Sequence, residues 1–176
     1  MDALISPKTT LNGYERNALF HGRGEAGFAN VAHLCNAARI EDGRSVAVGD
    51  LDQDGHLDMI LQNYKAESRF LLNRGQTGNW LQLRLRGVVS NRDAIGARIV
   101  MHHDSHKQTR EIQCGSGFLA CQSLVAHFGL GENTVVDRID IYWPSGVHQT
   151  LRDVSANQQL RLTEPAPGVT ADAIGQ

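Results

Sequence analysis

From Trp80 to Arg86 the chain alternates without a break, with Leu81, Leu83 and Leu85 on one side and Gln82, Arg84 and Arg86 on the other. Successive side chains of an extended strand point to opposite faces. The pattern therefore predicts a strand with one face in a core and the other turned outward. Short segments of the same kind recur along the chain. They predict strands over Ala18–His21, Phe28–His33, Ser45–Gly49, Met59–Gln62, Arg69–Asn73, Arg98–His103, Gln108–Gln113, Leu124–Phe128, Val136–Trp143, Val147–Leu151 and Gln159–Thr163. No long helical period competes with them, and eighteen glycines supply turns between them. The fold class that follows is all-β. The density of strands after residue 79 is that of a sandwich or a small barrel.

A chain of 176 residues holds one ordinary domain or two small ones. With 41% apolar and 20% charged residues it can bury a core. A net charge of −2 without a basic run gives no support to a general nucleic-acid or membrane-surface role. No run of apolar residues is long enough to span a membrane as a helix. Met1–Pro7 shows neither the basic nor the apolar region of a signal peptide. Three cysteines, Cys35, Cys114 and Cys121, do not make a disulfide framework. A Cys114–Cys121 bridge and buried free thiols are the two readings of that pair.

The strongest chemical signal is Asp50-x-Asp52-x-Asp54-Gly55-x-x-Asp58. Alternate side chains in a tight loop converge carboxylates on one point, and Gly55 permits the sharp turn. The carbonyl of His56 adds a main-chain oxygen, and Asp58 closes the shell. Hard oxygen ligands at this density suit calcium, and magnesium less well because of its stricter octahedron. An EF-hand needs a glutamate at the twelfth loop position, where this chain has Leu61, and it needs flanking helices where this chain alternates like strands. The reading is a strand–loop–strand calcium site with a structural role. The competing reading is an acidic turn satisfied by Asx hydrogen bonds and by Arg44 or Lys65.

Residues Val46–Asp58 resemble the FG-GAP/VCBS repeat of integrin-like β-propellers, whose loop binds calcium between two strands of a blade. Asn17–Phe20 and Gly27–Ala32 resemble the end of a preceding blade, and Arg69–Arg74 the third strand of the calcium blade. From Asn79 onward the chain resembles the ASPIC/UnbV domain. Five segments carry that likeness: Asn79-Trp80-Leu81, Ser90–Arg98, Gly115–Phe118, His127–Gly131 and Trp143–Gly146. The resemblances divide the chain into a blade region at 14–76, a β-sandwich at 77–164 and a flexible tail at 165–176. A propeller closes with at least four blades, so none closes here. The blade-like sheet is expected to pack beside the sandwich, which protects its edges. The family implies an extracytoplasmic setting: secreted, periplasmic or cell surface.

Other residues invite weaker readings. Arg92 either pairs with Asp93 or reaches a ligand carboxylate, within a segment that otherwise reads as a turn. Trp143 either offers a flat face to a sugar or partner, or packs in the core with Ile139 and Ile141. His102, His103 and His106 crowd a hairpin tip, but adjacent strand residues point to opposite faces and share a metal poorly. His127 with Ser116 would be the core of a hydrolase, yet Gly115-Ser116-Gly117-Phe118 lacks the nucleophile-elbow pattern.

These readings converge on a non-enzymatic, calcium-stabilised module for binding or assembly with a protein partner, or with a second copy of itself. A carbohydrate-binding module and a hydrolase are the alternatives.

Overall fold

The computed structural model describes residues 15–75 and 78–166, and the backbone of Ala171–Ile174. The domain limits expected at 14, 76 and 77 fall outside the described residues, as do 167–170 and 175–176 of the expected tail. Strands make up 49% of the described residues. Among the described residues there is no α-helix, and Gly24–Ala26 forms a 3-10 turn.

The alternation that predicts a strand at 80–86 yields β6, Asn79–Arg86, as the centre of a three-stranded sheet. Its neighbours are β9, Val125–Gly131, which runs antiparallel, and β12, Gln158–Thr163, which runs parallel. A second sheet has the order β13-β11-β10-β7-β8. It comprises β7 (Arg98–His103), β8 (His106–Glu111), β10 (Val135–Tyr142), β11 (His148–Ser155) and β13 (Ala171–Ile174). The β7–β8 hairpin turns through Asp104, whose φ is +48°. The two sheets face each other as a sandwich. Leu81, Leu83 and Leu85 from β6 and Phe128 from β9 meet Ile99 and Met101 from β7 and Ile139 and Ile141 from β10. All are buried, and this layer is the chain's main apolar core.

The N-terminal part is built differently. Strands β3 (Gly43–Gly49), β4 (Asp58–Asn63) and β5 (Arg69–Leu71) form an antiparallel, blade-like meander. β1 (Phe20–Gly22) and β2 (Phe28–Asn30) form a separate short hairpin. Among the described residues no sheet closes into a barrel or propeller. The meander is braced at one end by Glu41, which takes a forked contact from Arg69 at 2.7 and 3.1 Å and one hydrogen bond from Asn63.

In two places the structure departs from the sequence reading. Gln82, expected to face outward, is buried, because the blade covers that end of β6. In the segment expected to be a tail, Ala171–Ile174 pairs in parallel with Gln149–Arg152 of β11 and extends the larger sheet by one strand. The outer edge of β11 offers unpaired backbone groups, and an added strand satisfies them.

Candidate metal centre

β3 and β4 pair up to Gly49 opposite Asp58, so residues 50–57 form the connecting loop. Gln53 and Gly55 have φ of +62° and +91°, and these two reversals fold the loop back on itself. Asp50, Asp52 and Asp58 each present a carboxylate oxygen within 4.8 Å of the others. Like charges at about 4 Å repel by roughly 4 kcal/mol even at an effective dielectric of 20.

Backbone N–H groups hold two of the three carboxylates, those of Asp50 and Asp58. Asp58, 1% exposed, accepts from the N–H of Leu51 at 2.9 Å and from that of Asn73 at 2.8 Å. Oδ2 of Asp50 accepts from the N–H of Gly55 at 3.0 Å and from Nε2 of Gln82 at 2.8 Å. Oδ1 of Asp50 is buried and has no hydrogen-bond partner. Asp54 lies outside the cluster. Its Oδ1 accepts from the N–H of His56 at 2.9 Å, a local bond that folds the side chain back along the loop. The cation expected to satisfy an acidic turn is a different one from those read in the sequence. Arg74, after β5, lies 2.9 Å from Asp52 and 3.9 Å from Asp54. Arg44 instead pairs with Asp42, and Lys65 lies over the ring of Tyr64.

The loop rests on the sandwich. Trp80, on β6, packs against Gly55 so closely that a Cβ built on that glycine would lie 1.9 Å from the indole. Nε2 of His127, on β9, donates to the carbonyl of Gly55 at 2.8 Å, and its ring stacks on Trp80. Gln122 binds β3 edge-on, accepting from the N–H of Val48 and donating to the carbonyl of Val46. His127 is thus committed to the loop, and the pairing with Ser116 imagined for a hydrolase has no support here.

The remaining candidates are scattered. Trp143 is 3% exposed, lies in the sandwich core and donates from Nε1 to Gln149. Its ring has no free face for a sugar or partner, because strand alternation turns it inward with Ile139 and Ile141. Arg92 and Asp93 are exposed and line a surface cavity between β6 and β12. His103 is buried between Gln108 and Asn133, whereas His102 contacts Asp140 from the opposite face. Cys114 and Cys121 are exposed thiols with sulfurs 3.5 Å apart.

Sequence reading missed Glu164. This carboxylate, 3% exposed, accepts from the N–H groups of Val88, Val89 and Ser90 and from the hydroxyls of Ser90 and Ser145. Burial pushes its pKa up, but these hydrogen bonds outweigh burial and bring it down to about 2. Glu164 ties the end of β12 to the loops after β6 and β10, a role that its place at the expected end of the sandwich, before Pro165, does not announce.

A protein-family model described as ASPIC and UnbV matches residues 87–168, which include the Ser90–Arg98 loop, the Trp143–Gly146 turn and every strand of the sandwich except β6 and β13. This stretch is an ASPIC and UnbV domain. The chain is also similar to curated proteins named Cartilage acidic protein 1. The Mus musculus protein is 32% identical over 130 residues, covering 70% of this chain and 20% of the relative. The Homo sapiens protein is 32% identical over 130 residues, covering 70% and 19%. The Xenopus tropicalis protein is 36% identical over 112 residues, covering 60% and 17%. The chain therefore spans about a fifth of the length of the curated relatives it matches. The longer alignments extend beyond the ASPIC and UnbV domain and take in sequence N-terminal to it. Among the described residues no helix is long and apolar enough to cross a membrane.

Proposed function

We propose that the chain is a non-enzymatic, calcium-stabilised module for binding or assembly. In this reading an FG-GAP/VCBS-like blade at 14–76 is followed by the ASPIC and UnbV sandwich, with limits at 77–164. The observation that carries it is the buried, unpartnered Oδ1 of Asp50 beside the carboxylates of Asp52 and Asp58. A buried carboxylate oxygen without a donor is costly unless a cation meets it. Asp50, Asp52 and Asp58 would hold the ion, with Asp54 and the carbonyl of His56 as further oxygen donors. All are hard ligands of the kind calcium takes. Its chemistry here is charge neutralisation, which fixes the β3–β4 loop against Trp80 and His127.

The assembly half of the proposal rests on the blade's surface. Phe20, Phe28, Leu34 and Phe70 are 63%, 77%, 86% and 65% exposed, and unlike the sandwich this part of the chain has no large buried apolar core of its own. A blade with this much uncovered apolar surface suits neighbouring blades, a second copy of the chain or another protein. The much longer relatives fit that arrangement, and their name, with its reference to cartilage, favours an extracytoplasmic setting.

Thermal unfolding with calcium, with magnesium and with chelator tests the metal. At a hundredfold excess over its dissociation constant, calcium adds about 2.7 kcal/mol, and magnesium adds less. Equal melting temperatures in calcium and chelator would refute the site. Light scattering of the calcium-loaded chain tests assembly. A partner-free monomer that stays monomeric at high concentration removes self-association and leaves a different protein as the occupant.

A further inference from the structure

β6 and β12 lie side by side in parallel, with Gln82 opposite Gln159, Arg84 opposite Arg161 and Arg86 opposite Thr163. Leu83 and Leu85 point into the core, so these pairs share the opposite face. The glutamine row is internally satisfied: Gln159 donates to Gln82 at 2.8 Å, and Gln82 donates to Asp50. The arginine row is not. The side chains of Arg84, Arg86, Arg92 and Arg161 make no hydrogen bond or ion pair with any described residue. Neighbouring strands are only about 4.8 Å apart, and like charges directly opposite one another are destabilising. The fold nevertheless sets Arg84 and Arg161 there.

These four arginines surround a cavity of about 400 Å³ in which Asp93 is the acidic residue. Arg84 and Arg161 also line a larger cavity of about 720 Å³, where Arg110 joins them and Glu111 and Asp50 supply the acid. Five guanidinium groups thus face two adjoining depressions, on a chain whose net charge is −2.

We propose that this row binds a small polyoxyanion, a molecule carrying two or more sulfate or carboxylate groups on a sugar-sized frame. The guanidinium fork matches both groups bidentately, and paired forks on adjacent strands favour a ligand with paired charges. The cavity sizes are those of small-ligand sites, roughly 300–1,000 Å³. No aromatic ring lines the smaller cavity, and Trp80, which lines the larger one, is stacked on His127 and packed against Gly55, which disfavours a stacked base. The glutamine pair beside the arginines is bonded to itself and to Asp50, so the arginines carry the recognition. Arg84, Arg86, Arg92 and Arg161 themselves form no ion pair with the carboxylates of the metal loop.

Titration calorimetry of the full chain, at low ionic strength and fixed calcium, tests the proposal with three probes: a persulfated disaccharide, glutarate and inorganic sulfate. Either of the first two binds more tightly than inorganic sulfate, and the one that does identifies the anion class. Arg161→Gln weakens that binding by about tenfold or more. Arg152→Gln, on the other sheet, leaves it unchanged. The apo melting temperature of Arg161→Gln is equal to or above that of the parent, since a like-charge pair is removed. Failure of all three probes to bind, binding no tighter than that of inorganic sulfate, or equal binding by Arg161→Gln overturns the proposal.

Discussion

The carbonyl of Gly55, at the tip of the carboxylate loop, accepts a 2.8 Å hydrogen bond from Nε2 of His127 on β9 of the sandwich. The same imidazole stacks on Trp80, with ring centroids 6.5 Å apart. The loop's conformation and the sandwich's surface are therefore specified together. Gly55→Ala puts a Cβ into the indole and forces a side chain onto φ +91°. The expected cost is about 2–3 kcal/mol, read as a lower melting temperature and a blue- or red-shifted Trp80 emission. His127→Ala removes only the hydrogen bond and the stack, at about 1 kcal/mol. A Gly55→Ala protein as stable as the parent would show that the loop is free to lift away.

Asp52 and Asp58 are expected to separate metal binding from loop integrity. Asp52 is exposed and pairs with Arg74, a contact worth about 1 kcal/mol or less. Asp52→Ala should leave the metal-free melting temperature nearly unchanged while abolishing the calcium-dependent rise. Asp58 accepts two backbone N–H groups. Asp58→Asn turns one acceptor into a donor facing a donor, and should lower stability by about 1–3 kcal/mol with or without calcium. Equal behaviour of the two variants in chelator would contradict this division.

Glu164 makes stability depend on acidity in a defined direction. Its folded-state pKa, about 2, lies below the ordinary value of 4.5. A depressed carboxyl pKa contributes stability that is present above the unfolded value and is lost as pH falls toward the folded one. Glu164→Gln should therefore cost about 2 kcal/mol at neutral pH, and the gap from the parent should narrow between pH 4.5 and 2. Urea unfolding at several pH values measures it. A gap that stays constant with pH would mean that shape, and not charge, sets the contribution.

Cys114 and Cys121 lie close enough to pair with modest rearrangement, and both are exposed. Treatment with a small-molecule disulfide should form an intramolecular bridge by thiol–disulfide exchange, detected as a loss of two hydrogens in the mass of the intact chain. The attacking thiolate is scarce near neutrality, because the neighbouring Cys121, by hydrogen bonding and charge, and burial raise the pKa of Cys114. The reaction should therefore accelerate with rising pH. Mixed disulfides without a bridge would show that the loop between them is too stiff to close.

Much of the sandwich can be read from residue period alone. Alternation at Leu81, Leu83 and Leu85 identifies the buried face of β6, and the clustered aspartates locate the loop that joins β3 to β4. Alternation gives no partner and no direction, however. The parallel pairing of β12 with β6 depends on contacts 77 residues apart, as between Gln82 and Gln159. Gln82 looks outward because nothing in its own segment announces that the blade will cover it. Glu164 is invisible for a similar reason: its donors are Val88–Ser90 and Ser145, and local sequence shows only a charge before a proline. Within the metal loop, ligand types are legible, but the bond from His56 that draws Asp54 aside depends on backbone geometry. For Trp143 the shared side with Ile139 and Ile141 favours the core over a binding face, and the structure places it there.

The parallel pairing of β6 and β12 also bears on how the chain is made. β6 is synthesised well before β12, its partner on that edge, which lies 77 residues later. At roughly 5–20 residues per second a ribosome takes roughly 4–15 s to reach it. Throughout that interval β6 presents a hydrogen-bonding edge, with Leu81, Leu83 and Leu85 on a face that no complete layer covers. Nascent chains stalled within the interval are the forms that a chaperone should hold, and release of β12 from the exit tunnel is the event that ends their need for it.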